Sequence, residues 1–96
     1  MNEIRVPVGV PVLVGRNSIC DLRTDSLKAS RTHLLIGLFD GVVRIRDLAT
    51  TNGTWINAVR QNQEHVLSPG DEVAFGSDVL TWSIEEDGAV LVLQIS

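Results

Sequence analysis

The sequence predicts an all-β fold, an antiparallel β-sandwich, on two observations. No window shows the three-to-four-residue apolar spacing of an amphipathic helix. Short runs rich in Val, Ile and Leu appear instead, separated by turn residues roughly every eight to twelve positions. The first runs, 4–6 and 10–14, alternate around Pro7, Gly9 and Pro11, and a third covers 20–23. Runs at 32–39 and 42–48 reverse at Asp40-Gly41, and 54–57 follows Asn52-Gly53, each pair tolerant of the positive φ that a tight hairpin needs. The remaining runs, 64–67, 72–75, 79–85 and 89–95, are punctuated by Ser68–Pro69–Gly70–Asp71, Gly76–Ser77–Asp78 and Glu86–Asp87–Gly88.

Ninety-six residues form one domain, 1–96, with apolar residues abundant enough for a single core. The one cysteine, Cys20, excludes an internal disulfide and fits a reducing, cytoplasmic setting, where it reads as a small buried apolar residue. No stretch reaches the length of a membrane helix, and Pro7 and Pro11 interrupt the apolar N-terminal run, so neither a membrane nor a leader role is expected. The formal charge of −4 disfavours a nucleic-acid binder. Its distribution is uneven: residues 1–46 carry seven bases against four acids, and residues 47–96 carry one base, Arg60, against eight acids. Arg5, Arg23 and Arg60 read as solvated outward charges. A basic half in an acidic chain suits a small local anion.

Strand parity says where that anion would bind. The run 32–39 leaves the segment 28–31, and 42–48 returns, so 28–31 and 49–53 share one end of the sheet. The loop 15–18 joins them only if 20–22 descends and 24–29 climbs back. Together the three loops offer Arg16, Lys28, Ser30, Arg31, Thr51 and Asn52, a donor-rich and carboxylate-poor set. A phosphorylated side chain, with close to two negative charges and three acceptor oxygens, matches it. No paired carboxylates, metal-ligand spacing or nucleophile–base set appears, so an enzyme, a metal site and a cofactor are not expected.

The segments Val14–Leu22 (VGRNSICDL), Ser30–His33 (SRTH), Arg46–Asn57 (RDLATTNGTWIN) and Leu67–Gly76 (LSPGDEVAFG), in this order and spacing, resemble the forkhead-associated (FHA) domain. The resemblance implies an eleven-stranded sandwich whose apical loops bind phosphothreonine peptides in Ser/Thr kinase signalling, usually beside other modules of a larger protein. It implies that Arg16 and Ser30 contact the phosphate, that Arg31 and Thr51 add to that pocket, and that Asn52 bonds the peptide backbone. Lys28 would sense the side chain three residues after the phosphothreonine and favour an acidic one. His33 would tie the loops together as a neutral imidazole, with no carboxylate placed to orient it.

Gly15 and Gly53 are assigned to backbone geometry, Gly15 letting Arg16 point into the site. Trp55 and Trp82 are assigned to the core, and Thr50, Thr54, Asp47, Gly70 and Asp71 to turns and loop bracing. Ala58 stands where relatives place Gly after the Asn57 position, so that turn is expected to take another geometry or to rest on Asn57 alone. The alternative function is an FHA-fold scaffold that docks a partner without phosphate, within a larger multidomain or secretion-type assembly. A monomer is the default; the partner, its kinase and the organism are not legible.

Overall fold

The computed structural model describes residues 2–61, 63–85 and 88–95. Among these residues eleven strands form two sheets. They are β1 (Asn2–Pro7), β2 (Val12–Gly15), β3 (Leu22–Arg23), β4 (Leu34–Phe39), β5 (Val42–Asp47), β6 (Thr54–Ile56), β7 (Val59–Gln61), β8 (His65–Val66), β9 (Val73–Phe75), β10 (Asp78–Glu85) and β11 (Gly88–Ile95). One sheet runs β1-β11-β10-β9-β6-β7 and the other β3-β2-β4-β5-β8. Ten of the strands coincide with runs predicted from sequence. The eleventh, β7, is Val-Arg-Gln with no buried side chain, so nothing in its pattern announced it. The turn expected at Glu86-Asp87 lies outside the described residues.

The sheets pack through the inward half of each alternating strand. On β5, Val43 and Ile45 are buried while Arg44 and Arg46 are exposed. From the facing sheet come Val6, Ile56, Val73, Phe75 and Leu80, all essentially without exposure. Trp82 is half-buried against this core, as expected. Trp55 is not in it. It lies on the outward face of β6, 38% exposed, and its indole Nε1 donates to the Asn52 carbonyl at 3.1 Å. The strand is only three residues long and its two inward places go to Thr54 and Ile56, so the ring has the solvent side.

Besides an isolated parallel bridge from Val8 to Leu38, one strand pair departs from the antiparallel expectation. β3 lies parallel to β2, with Val14 opposite Leu22 and Gly15 opposite Arg23. The chain folds back immediately after Gly15, with the Asp21 amide on the Leu13 carbonyl, and β3 then runs toward the same end as β2. The chain therefore descends between Gly15 and Asp21 rather than over 20–22, and β3 makes the climb back to the apical end that parity assigned to 24–29.

The β6–β7 hairpin keeps a two-residue turn with both central residues at positive φ, 48° at Asn57 and 69° at Ala58. Ala58 neither diverts the chain nor leaves Asn57 to turn it alone. Asn57 is held by a bond to the Asp71 carboxylate at 2.8 Å and by the Glu72 amide on its own side-chain oxygen. The Cβ of Ala58 is then strained in the left-handed region. Ala58→Gly is expected to raise stability by about 1 kcal/mol, read as a higher denaturation midpoint at unchanged m-value. A lower midpoint would show that the turn is not strained.

Candidate functional site

Three apical loops meet at the end of the sandwich where β2 and β5 finish and β4 begins. Backbone bonds tie the first two. The Arg16 amide donates to the Ser30 carbonyl at 3.1 Å and the Asn17 amide to the Arg31 carbonyl at 2.9 Å. This approach explains Gly15. Its φ is ordinary, contrary to the expectation of a special turn conformation, but a Cβ there would lie 2.3 Å from the Arg31 carbonyl oxygen. Cys20 is half-buried rather than buried, with its thiol 3.3 Å from the same oxygen. Burial pushes that thiol's pKa up, so it is no ready nucleophile.

His33 joins the second loop to the third. Fully buried, it accepts the Ser30 amide on Nδ1 at 3.0 Å and donates from Nε2 to the Gly53 carbonyl at 2.9 Å. Both bonds require the neutral ring with its proton on Nε2. Burial lowers its pKa, only partly opposed by the Gly53 bond and the Asp47 charge. A carboxylate does face the ring, against expectation: Asp47 Oδ1 lies 3.9 Å from Nε2, but the nearer Gly53 carbonyl takes the proton.

Asp47 is the hub of the third loop. Its carboxylate accepts the Thr50 amide at 3.0 Å, the Thr50 hydroxyl at 2.7 Å and the Thr54 hydroxyl at 2.7 Å. The Thr50 hydroxyl in turn accepts the Gly53 amide at 3.0 Å. Burial raises the Asp47 pKa, but these bonds and His33 outweigh it and hold the carboxyl below its ordinary value. Thr50 and Thr54 thus brace the loop, as assigned. Arg60, read from sequence as a solvated charge, packs over Gly53 and donates from Nη2 to the carbonyls of Thr50 and Thr51 at 3.4 and 3.2 Å. Gly53, at φ 83°, leaves room for that guanidinium. Arg23 likewise donates to the Arg16 carbonyl at 2.9 Å.

With the backbone so tied, the outward side chains are left uncommitted. Arg16 spends Nε on the Ala29 carbonyl at 3.1 Å, which aims the guanidinium and leaves its terminal nitrogens without partners among the described residues. The hydroxyls of Ser30 and Thr51, the Lys28 ammonium and the Arg31 guanidinium have no side-chain partner among them either. Asn52 is different: its Nδ2 donates to the Lys28 carbonyl at 2.7 Å, so Oδ1 is the atom left for a ligand. Sequence reasoning missed a network beneath Lys28. There the buried Thr24 hydroxyl donates to Asp78, Ser26 N donates to Thr24 Oγ1, and the Ser77 amide donates to Ser26 Oγ. The "TDS" run at 24–26 was its only visible signal.

The arrangement also matches known proteins. The sequence pattern of the FHA domain matches residues 12–76. The chain belongs to the FHA domain family. An FHA domain is a binding module rather than a catalytic one. This FHA domain is 39% identical over 75 residues to Serine/threonine-protein kinase RAD53 of Saccharomyces cerevisiae, covering 70% of the chain and 9% of that protein. It is also 39% identical over 62 residues to the Oxoglutarate dehydrogenase inhibitor of Corynebacterium diphtheriae, covering 65% of the chain and 43% of that protein. The chain thus spans less than half the length of these relatives. The FhaA FHA domain, solved in complex with the intracellular domain of Rv3910, superposes with a TM-score of 0.67 at 25% identity, over 95% of this chain and 84% of that one. The FHA-2 domain of the Mycobacterium tuberculosis ABC transporter Rv1747 gives a TM-score of 0.70 at 28% identity, over 88% of this chain and 73% of that one. No helix among the described residues is long and apolar enough to cross a membrane.

Proposed function

We propose that this FHA domain is a phosphothreonine-dependent peptide-binding module in Ser/Thr kinase signalling, with the three apical loops as its binding surface. One observation carries the reading. The loops spend their backbone groups and Asp47, Thr50 and His33 on one another, while Arg16 Nη, Ser30 Oγ and Thr51 Oγ1 stay uncommitted. In the proposed complex these groups hold the phosphate oxygens and Arg31 adds charge. Asn52 Oδ1 accepts a peptide amide, and Lys28 favours an acidic side chain beyond the phosphoresidue. Each charge-assisted bond contributes about 1.5–3 kcal/mol net. Three or four of them, less the cost of ordering the peptide, support the roughly 8 kcal/mol of a micromolar complex.

Titration with peptides carrying phosphothreonine, phosphoserine or unmodified threonine tests the reading. Micromolar binding selective for phosphothreonine is expected. Equal affinity for unmodified peptides would replace the proposal with phosphate-independent docking. Thr51→Val keeps the side chain's shape and removes the hydroxyl. Because Thr51 is exposed and no other described side chain uses its hydroxyl, Tm should hold while affinity falls roughly tenfold, the worth of one such bond. A large loss of Tm with unchanged binding would make Thr51 a structural residue.

A further inference from the structure

The five-stranded sheet carries a second surface that the apical loops do not use. On its central strand β4 both faces are apolar. Leu34, Ile36 and Leu38 are buried in the core, and Leu35, Gly37 and Phe39 hold the outward positions. The solvent face of an antiparallel sheet ordinarily reads polar. Here that face carries an apolar row instead, with Phe39 exposed and Leu35 half-buried. The Phe39 ring lies over Gly37, where a Cβ would come within 2.3 Å of Cε2, and it remains 37% exposed. The result is a groove of about 350 Å³ with Pro11 and Leu35 also in its walls.

Two observations say what fills it. The first is charge. Register places Arg44 opposite Gly37 and Arg46 opposite Leu35 on the same outward face. Arg44 is paired with Glu64 at 3.3 Å, whereas Arg46 has no partner among the described residues. The second is continuity. A neighbouring depression of about 540 Å³ reaches the bracing loop at Ala49, Thr50 and Arg60, and it shares Arg46 and Glu64 with the groove. The two adjoin at Arg46 and Glu64 and make a trough down the sheet whose upper end, at Thr50, lies one residue from Thr51 of the candidate site.

We propose that the phosphorylated partner binds in two places at once. Its phosphothreonine takes the apical loops, and a flanking extended segment follows the trough. That segment sets an acidic side chain against Arg46 and an apolar one on the Leu35–Gly37–Phe39 floor. β5 lines the trough from Asp47 to Arg44, and Phe39, opposite Val42 in the register, closes its lower end, so about five or six extended residues of partner span it. This inference rests on the proposed phosphothreonine reading.

The test uses the 96-residue domain and two synthetic libraries. One holds short phosphothreonine peptides. The other extends them by about eight randomised residues on either side. Selected extended peptides should bind about tenfold tighter than the short ones, as linked contacts do, and should be enriched in Asp or Glu followed by an apolar residue. Arg46→Glu should erase that gain and leave the short peptides' affinity unchanged. Phe39→Ser should do the same, lowering Tm somewhat as its cover over Gly37 is lost but leaving the short peptides' affinity unchanged. No gain from extension on either side would overturn the proposal. So would a gain that survives both substitutions, or self-association of the free domain through this face. If the short peptides do not bind at all, the phosphothreonine reading fails, and this inference fails with it.

Discussion

Arg16→Ala is expected to weaken phosphothreonine-peptide binding by a hundredfold or more, with little change in Tm. The terminal guanidinium nitrogens are held toward solvent by a single bond from Nε to the Ala29 carbonyl. A fork of this kind makes two parallel charge-assisted bonds to a phosphate. At about 1.5–3 kcal/mol each, their loss amounts to two or more decades of affinity. Arg16→Lys restores the charge without the fork and should recover only part of the loss. The fold should hardly notice, because the loop is also fixed by the Arg16 and Asn17 amides, which the substitution leaves in place. Titration alongside thermal melting checks this. Affinity within about threefold of the unsubstituted domain would remove Arg16 from the phosphate site.

The second large effect falls on stability. Asp47→Ala is expected to cost about 3 kcal/mol or more. It strands the fully buried Thr54 hydroxyl and the Thr50 amide and hydroxyl, each an unsatisfied group costing about 1–3 kcal/mol. In a domain this small that lowers Tm by more than about 12 °C. A drop of less than about 3 °C would show that water replaces the carboxylate without penalty.

Acid should weaken the same joint, in a defined order. His33 has a folded pKa lowered by burial, so the unfolded chain takes up its proton more readily. Stability is therefore full above about 6.5 and declines as pH falls below it. The groups facing the ring are the Ser30 amide, the Gly53 carbonyl, the Asp47 carboxylate and the Phe75 ring. Protonation of Nδ1 would set a second donor against the Ser30 amide. Asp47, with a lowered folded pKa, contributes stability above its ordinary value near 3.8, lost as pH falls through the folded one. Tm of the unliganded domain should be level above neutrality and fall between pH 7 and pH 5. A rise over that interval would contradict the neutral, bridging imidazole.

What could be read from the chain beforehand follows physical lines. β4 and β5 were legible because each has an inward apolar row and the Asp40-Gly41 turn leaves little choice of register. The parallel β2–β3 pair was not, since two residues make no periodic pattern. Thr51 separated correctly from Thr50 and Thr54 in exposure, because family spacing set it next to Asn52. Arg60 was misread because its value lies in the carbonyls it reaches, and sequence shows only a lone charge among acids. Trp55 failed for a related reason: a large apolar ring suggests a core, but a three-residue strand decides which face it takes.

The edge position of β1 has a consequence for how the fold is reached. Among the described residues that strand pairs only with β11, Asn2 opposite Leu93, about ninety residues along the chain. Closing so long a loop costs entropy before any contact rewards it, and folds dominated by distant pairings form slowly. During synthesis the first strand emerges without its sheet neighbour and waits for nearly the whole domain to follow. Until then Ile4 and Val6 remain uncovered on that side, so the growing chain is most open to wrong strand pairing while it is still incomplete.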